Sequence, residues 1–451
     1  MFIPSHINEI IYQLQDYGYD AYVVGGCVRD SYLGDVPHDY DVCTSATPDE
    51  MKTCLSNYKS YDTGIQHGTV SFMVDGELVE VTTFRAESDY TDGRHPDAVT
   101  FVTTIEEDLS RRDLTMNAMA YNDRDGLIDI YGGLQDINNG IIRCVGNPVD
   151  RYNEDGLRML RTIRFAAKYG FSIELNTMSA IHYCVGNLYN ISFPRIHAEI
   201  IQIMNYWNTN VLFELLMEFK DVFSYVFPSL SSCINYDQNS LYHIYDLYEH
   251  MARTCCYIES ADYIARIAAF IHDVGKVNVM TIGNDGYSHY IGHENESAYL
   301  AELDLRRLCM SSDEITKITA LIRKHDTPLT CTKKRMYRLM SELNNDREQL
   351  DRLVMIQRSD AMAHAEHEYV NKRIEACDIF LEFANEQFEI AGKFDISSLD
   401  INGNDFINAG YAPGPKYKEV LETLVNEVLD GYLPNEYDSL IVRSSELFEM
   451  Q

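Results

Sequence analysis

Residues 21–41 constrain this chain more than any other stretch. Tyr22-Val23-Val24 reads as a short strand, Gly25-Gly26 as a turn, and the run to about Leu33 as a helix. Two aspartates, Asp39 and Asp41, follow one residue apart. Glycines between a strand and a helix let backbone N–H groups approach an anion at the helix N-terminus. Arg29 falls on the first turn of that helix. On a strand, residues i and i+2 share a face, so Asp39 and Asp41 are expected side by side. Such a pair repels itself unless a cation lies between. Mg²⁺ takes carboxylate and phosphate oxygens together. The pattern therefore predicts an α/β module that holds a metal and a triphosphate, the needs of nucleotidyl transfer.

At 451 residues the chain exceeds one core, and two to four domains are expected. A net charge of −33 argues against a nucleic-acid partner, but the distribution is uneven. Arg143, Arg151, Arg158, Arg161, Arg164 and Lys168 form one basic patch; Arg323, Lys324, Lys333, Lys334, Arg335 and Arg338 form another. Any polyanion is then expected to meet these patches. No apolar run reaches about 18 residues, which argues against a membrane span. The opening MFIPSHINEIIYQLQDYG lacks a basic region followed by an apolar stretch, so no secretion signal is expected. Eleven cysteines without a CxxC pair suit a reducing cytoplasmic compartment.

Ile7, Ile10, Ile11 and Leu14 have helical spacing. Val70–Val74 and Glu77–Phe84 read as a hairpin turned at Asp75-Gly76. The α/β module is expected to end near residue 145, with helices from 153 onward and a break at Tyr411-Ala-Pro-Gly-Pro415. Glu80, on the hairpin's second strand, would bring a third carboxylate to the metals. Arg111-Arg112-Asp113 with Asn117 would place donors near phosphate and polar groups near a ribose; a capped, salt-bridged helix start is the plainer reading. In Glu154-Asp155-x-x-Arg158, Asp155 and Arg158 are i and i+3 on a helix. Aspartate accepts and arginine donates, a pairing that fits the edges of cytosine and adenine and refuses uracil and guanine. An ordinary intrahelical ion pair is the competing account.

Taken in order, Gly25-Gly26-x-x-Arg29-Asp30, Asp39-x-Asp41, Glu80-Val-Thr-Thr-Phe-Arg85, Arg111-Arg112-Asp113-x-Thr-x-Asn117 and Glu154-Asp155-x-x-Arg158 resemble the class II tRNA nucleotidyltransferase and poly(A) polymerase family, in its bacterial CCA-adding form. Leu399-Asp-Ile-Asn-Gly403 with Gly410-Tyr-Ala-Pro-Gly414 is similar to the family's tail. The resemblance implies an α+β fold: a polymerase β-like nucleotidyltransferase head with a mixed or antiparallel sheet (1–145), then an all-helical neck (146–235), an HD domain (236–365) and an acidic helical tail (366–451). It implies that Asp39, Asp41 and Glu80 are catalytic, the aspartates binding Mg²⁺. Gly26, Arg29, Arg112 and Asp113 would serve the incoming nucleotide, Asp155 and Arg158 its base, and Arg161 and Arg164 nearby phosphates. The implied partners are tRNA, CTP and ATP, with no membrane. Tyr90-Thr-Asp-Gly-Arg94-His-Pro96-Asp97 matches the element that the family needs for the final A. Two departures stand out: Pro194 replaces a glutamate in Ser192-Phe-Pro194-Arg195-Ile196, and Gly156 replaces the more usual alanine.

A second constellation comprises His250, His272, Asp273, His293, His325 and Asp360, spread over a helical region. Imidazoles with carboxylates suit a transition metal. His272-Asp273-Val-Gly-Lys276 resembles the signature of the HD phosphohydrolase superfamily, with Lys276 as a phosphate contact or a solvated helix residue. Two alternatives stay open: a poly(A) polymerase or partial CC- or A-adding enzyme, and an HD phosphohydrolase whose head only binds tRNA.

Overall fold

A computed structural model describes residues 1–88, 98–206, 208–391, 395–429 and 432–449. The expected element at Tyr90–Asp97 lies outside the described residues. The chain divides into two compact units, Met1–Val226 and Phe227–Gln451.

The first unit is built on a seven-stranded sheet in the order β3-β4-β5-β2-β1-β8-β9. Its strands are β1 (Ala21–Val24), β2 (Val42–Thr44), β3 (Lys59–Gly64), β4 (Thr69–Val74), β5 (Glu77–Thr83), β8 (Ala120–Asn122) and β9 (Gly126–Ile128); β6 (Arg85–Ser88) and β7 (Ala98–Phe101) form a separate ribbon. β2 and β5 run parallel and the other neighbours antiparallel, so the sheet is mixed. The β4–β5 hairpin turns at Asp75-Gly76, where φ is 51° and 89°, the left-handed pair that a two-residue hairpin demands. All four residues of β1 are buried, as expected of a strand covered on both faces. Helix α1 (Ser5–Asp16) contributes its stripe Ile7, Ile10, Ile11 and Leu14, each burial worth about 1.5–3 kcal/mol. Tyr22, Val24, Cys43, Phe84, Leu109 and Ala120 share a core.

Around the sheet lie α2 (Gly26–Leu33), α3 (Pro48–Cys54), α4 (Ile105–Ser110) and α5 (Gly133–Asn139), followed by α6 (Pro148–Glu154), α7 (Leu157–Tyr169), α8 (Leu175–Cys184), α9 (Phe193–Met204), α10 (Thr209–Glu218) and α11 (Lys220–Val226). Two expectations need correction. Asp39 and Asp41 precede β2 rather than lying within it, although Val24 N–H still donates to the Asp41 carbonyl at 3.0 Å. Asp155 and Arg158 do not share a helix: α6 ends at Glu154, Asp155 is extended at φ −143°, and α7 starts at Leu157. Gly156 lets the Asn187 carbonyl approach the break, since a Cβ there would lie 2.9 Å from that oxygen. Pro194 sits in the first turn of α9, where its missing N–H costs no helical bond.

The second unit is helical. Helices α12 (Leu247–Cys256), α13 (Tyr263–Phe270), α14 (Lys276–Val279), α15 (His293–Arg307), α16 (Ser312–Lys324), α17 (Lys333–Glu342), α18 (Arg347–Met362) and α19 (Glu368–Ala391) come first. After them α20 (Gly403–Asn408), α21 (Lys416–Leu429) and α22 (Tyr437–Glu449) close a small core of Leu399, Ile401, Phe406, Leu424 and Leu440.

Candidate functional site

Because β2 and β5 run parallel with Val42 opposite Val81, the preceding Asp41 and Glu80 come out together at one end of the pair. With Asp39 they line a cavity of about 420 Å³, joined by His6, His38 and Glu77. Asp41 is pushed above the ordinary carboxylate range by desolvation and by the Asp39 charge, against the pull of Arg112. A cation between these acids would relieve that repulsion, so the donor set fits a hard divalent metal.

β1 leads through Gly25-Gly26 into α2. Gly25 has φ 77° and ψ −121°, a backbone that a side chain would strain, and a Cβ there would meet the Arg112 guanidinium at 2.9 Å. Arg112 is held by Asp108 at 3.2 Å, and Asp108 also takes Arg111 at 2.8 Å. Burial alone would raise Asp108, but the two arginines hold it below its usual value. Arg29 is buried: its Nη1 donates to Asn117 Oδ1 at 2.5 Å and its Nε to Asp30 at 2.8 Å. Asn117 in turn donates to Asp113, which also receives Arg161 at 2.7 Å. Burial would raise Asp113; Arg161, Asn117 and Arg158 outweigh it and keep the carboxylate ionised. The expected motifs thus form one chain of contacts, Arg29–Asn117–Asp113–Arg161.

The side chains of Asp155 and Arg158 are not bonded to each other; only the Arg158 backbone N–H reaches the Asp155 carbonyl, at 3.0 Å. Asp155 accepts Arg195 at 2.6 Å, whereas Arg158 donates to Glu154 at 2.6 Å and to the Arg111 carbonyl at 3.1 Å. Arg164 pairs with Glu199 at 2.6 Å. Sequence reasoning gave Glu154 and Arg195 no role of their own, although each stood in a quoted motif.

In the second unit, all six residues of the second constellation meet. His250 Nε2 lies 3.0 Å from Asp360 Oδ1, His272 Nε2 3.2 Å from Asp273 Oδ2, and His293 Nε2 3.1 Å from Asp273 Oδ1. His325 Nε2 is 3.2 Å from His293 Nε2. Each imidazole uses Nδ1–H on a backbone carbonyl: His250 on Ala363, His272 on Ala269, His293 on Tyr290 and His325 on Ile322. That fixes the tautomer and turns the Nε2 lone pair inward, toward carboxylate oxygens that are also acceptors. Among the described residues, His250 Nε2, His272 Nε2 and Asp273 Oδ1 are buried without a hydrogen-bond partner. Facing acceptors in a buried site are the condition a transition metal satisfies, so the residues fit one. Asp273 and Asp360 are held well below the usual range: burial opposes this, but His272 and Lys276 on the first, His364 and His250 on the second, prevail.

An adjoining cavity of about 580 Å³ exposes Asp273, His293, His325 and Asp360 together with His243, Lys276, Asp326, His364 and Arg373. Lys276 Nζ lies 2.5 Å from Asp273, and Arg373 3.1 Å from Asp360. His364 and Asp326 escaped the sequence reading although the first is four residues from Asp360 and the second adjoins His325. His243 and Arg373 carried no such signal.

A mixed sheet whose parallel pair presents three acids beside a Gly-Gly turn defines a nucleotidyltransferase head. The family profile of the poly A polymerase head domain matches residues 21–143, that of the probable RNA and SrmB-binding site of polymerase A residues 170–234, and that of tRNA nucleotidyltransferase domain 2 residues 291–442. The CCA-adding enzyme of Limosilactobacillus fermentum is 31% identical over 447 residues, covering 98% of this chain and 96% of that one. The chain belongs to the CCA-adding enzyme family. With the CCA-adding enzyme of Ligilactobacillus salivarius the identity is 46% over 205 residues, 45% of this chain, and the match spans about half (50%) of that relative's length. The solved CCA-adding enzyme of Bacillus stearothermophilus, in complex with CTP, superposes with a TM-score of 0.67 at 26% identity, covering 99% of this chain and 98% of that one. No described helix is long and apolar enough to cross a membrane.

Proposed function

We propose that this chain adds CCA to the 3′ end of tRNA from CTP and ATP, without a nucleic-acid template, in the cytoplasm. The observation that carries the reading is the convergence of Asp39, Asp41 and Glu80 in one cavity. These acids would hold Mg²⁺, which when bound supplies Lewis-acid stabilisation of the triphosphate and of the attacking 3′-hydroxyl. Gly26 at the start of α2, with Arg29 and Arg112, serves the phosphates. Asp113 orients Arg161. Asp155 offers an acceptor and Arg158 a donor to the base, each pre-set by its own partner, Arg195 and Glu154. The complex of the Bacillus stearothermophilus relative with CTP supports a pyrimidine nucleotide as one substrate. On this reading residues 1–145 are the head, 146–235 the neck, 236–365 the HD domain and 366–451 the tail, with tRNA on the two basic patches.

The test is extension of a tRNA transcript lacking its 3′ CCA, with Mg²⁺ and CTP, ATP or both. Growth by three nucleotides with both, and a stop at CC with CTP alone, supports the reading. Long A-tracts indicate a poly(A) polymerase, and no growth rejects the head as a catalyst.

A second reading concerns the helical unit. The four inward-facing Nε2 atoms support an HD-type metal centre with phosphohydrolase activity, Lys276 meeting the phosphate. Metal analysis of the purified chain, with phosphate release from p-nitrophenyl phosphate, tests it; a metal-free chain inert under added Mn²⁺, Co²⁺ or Ni²⁺ rejects it.

A further inference from the structure

Helix α7 places Phe165 between Arg161, Arg164 and Tyr169 in sequence, and the fold brings Arg29 to the same ring. The guanidinium carbon of Arg164 lies 4.3 Å from the centroid of Phe165, that of Arg29 5.0 Å and that of Arg161 5.7 Å. Tyr169 stacks parallel to Phe165 with centroids 6.1 Å apart, sits 5.5 Å from the Arg29 guanidinium, and donates its hydroxyl to Asp30 at 3.0 Å, the same carboxylate oxygen that Arg29 Nε uses. Phe165 itself is buried.

Three like charges crowded on one side chain repel each other. Each has an acid of its own: Asp30 for Arg29, Asp113 for Arg161, Glu199 for Arg164. The acids bind at the N–H edges. An aromatic ring attracts a cation through its face and takes no N–H donor, so it gathers the arginines without using the groups that a phosphate needs.

We propose that Phe165 is a positioning residue for nucleotide binding, its ring holding Arg29, Arg161 and Arg164 as one array for the triphosphate. This rests on the reading of the head given above. Arg29 follows the Gly-Gly turn and Arg161 and Arg164 belong to the neck, so the ring ties the phosphate side of the site to the helix that reads the base. Apolar packing alone would need only volume at this position; an array of cations needs the π-face.

Steady-state extension of a tRNA transcript lacking CCA, with CTP varied at saturating tRNA, tests the role. Phe165→Leu keeps apolar volume and removes the ring; it should raise KM for CTP about tenfold, the scale of partly buried cation–π contacts, with kcat within about twofold and KM for tRNA unchanged. A merely structural role would lower kcat through loss of active molecules and leave KM alone. Tyr169→Phe keeps its ring and drops the bond to Asp30; it should raise KM for CTP by about two- to threefold. Phe165→Met, a second apolar side chain without a ring, should raise it as Phe165→Leu does and decides the matter if that variant does not fold. Wild-type protein that never incorporates CTP overturns the reading of the head and this role with it. Wild-type protein that does, alongside variants with unchanged KM, overturns only the role of Phe165.

Discussion

The two candidate metal sites of this chain are built on opposite plans. Asp39, Asp41 and Glu80 keep open surface at the mouth of a cavity and are all oxygen donors. His250, His272 and Asp273 are about 1% exposed, and each histidine ring is locked by a backbone carbonyl behind it. Open carboxylates suit an ion that arrives and leaves with a triphosphate, since Mg²⁺ keeps part of its water. A cage of buried imidazoles, each held from behind, suits an ion that stays as part of the fold, although Asp273, His293, His325 and Asp360 also border a cavity. The lesson is that the partner behind each ligand, more than the ligand itself, tells a transient site from a resident one.

The largest effect that would break this comparison is on turnover. Asp39→Ala with Asp41→Ala should lower CTP incorporation by at least about 10²–10³-fold, the scale of losing a preorganised charge-stabilising group. Metal bound in the helical unit, read by elemental analysis, and the melting temperature should be unchanged. A double variant that stops binding metal altogether would mean that the buried cage holds none. Next in size is Asp273→Ala. It removes the acid shared by His272, His293 and Lys276, leaving the buried Lys276 ammonium without that counter-ion and with Gln238 and His243 as its remaining partners, at a cost of roughly 3–5 kcal/mol. Loss of bound metal and a lower denaturation midpoint are expected; retention of both would overturn the resident-site assignment.

These plans were unequally legible. Glu80 could be read from its hairpin, because the turn at Asp75-Gly76 is a local rule. Strand alternation did not apply to Asp39 and Asp41, which precede β2; the pairing of β2 with β5 is what sets Asp41 beside Glu80. The histidine cage could be read as a set of ligand types, because His272-Asp273 is contiguous and the other ligands, one before it and three after, are all histidine or aspartate within a helical stretch. What no spacing rule reached was the break at Asp155. Asp155 and Arg158 were expected on one helix, whereas α6 ends at Glu154 and α7 starts at Leu157, with the Asn187 carbonyl packed against Gly156 between them. The same break turns Asp155 away from Arg158 and toward Arg195, forty residues on. Phe165 carried no signal in the sequence, since the arginine it draws from the head, Arg29, is remote along the chain.

That break supplies a smaller test, now on the first unit alone. Gly156→Ala would restore the residue more usual in the family, and helix propensity alone predicts a gain of about 1 kcal/mol. Here the added methyl meets the Asn187 carbonyl, a backbone atom that cannot rotate away, so a net loss of about 1–3 kcal/mol is expected from overpacking. Denaturant unfolding measures it. A stabilised Gly156→Ala protein would mean that the Asn187 carbonyl does not hold this position against an added methyl.

His182 sharpens the contrast with the smallest effect. Unlike the caged imidazoles, it has a carboxylate on each nitrogen: Asp221 on Nδ1 at 3.0 Å and Glu218 on Nε2 at 3.2 Å, with its ring against Phe219. Such a ring wants a proton where the others want a metal. Desolvation lowers its pKa, but the two acids prevail and raise it above the ordinary histidine value. A raised pKa in the folded state stabilises the fold fully below the unfolded value of about 6.5, and that gain disappears as pH rises through the folded value. The ring is 36% exposed, so solvent screening keeps the gain under about 1 kcal/mol. His182→Gln should therefore destabilise the chain at about pH 5.5 and be close to neutral at about pH 9, by denaturant midpoint. Adding a chelator should leave that difference untouched, since no metal is involved, while it lowers the midpoint of both proteins through the cage. A His182→Gln effect that grew with pH, or that vanished on chelation, would mean that this ring belongs with the caged histidines after all.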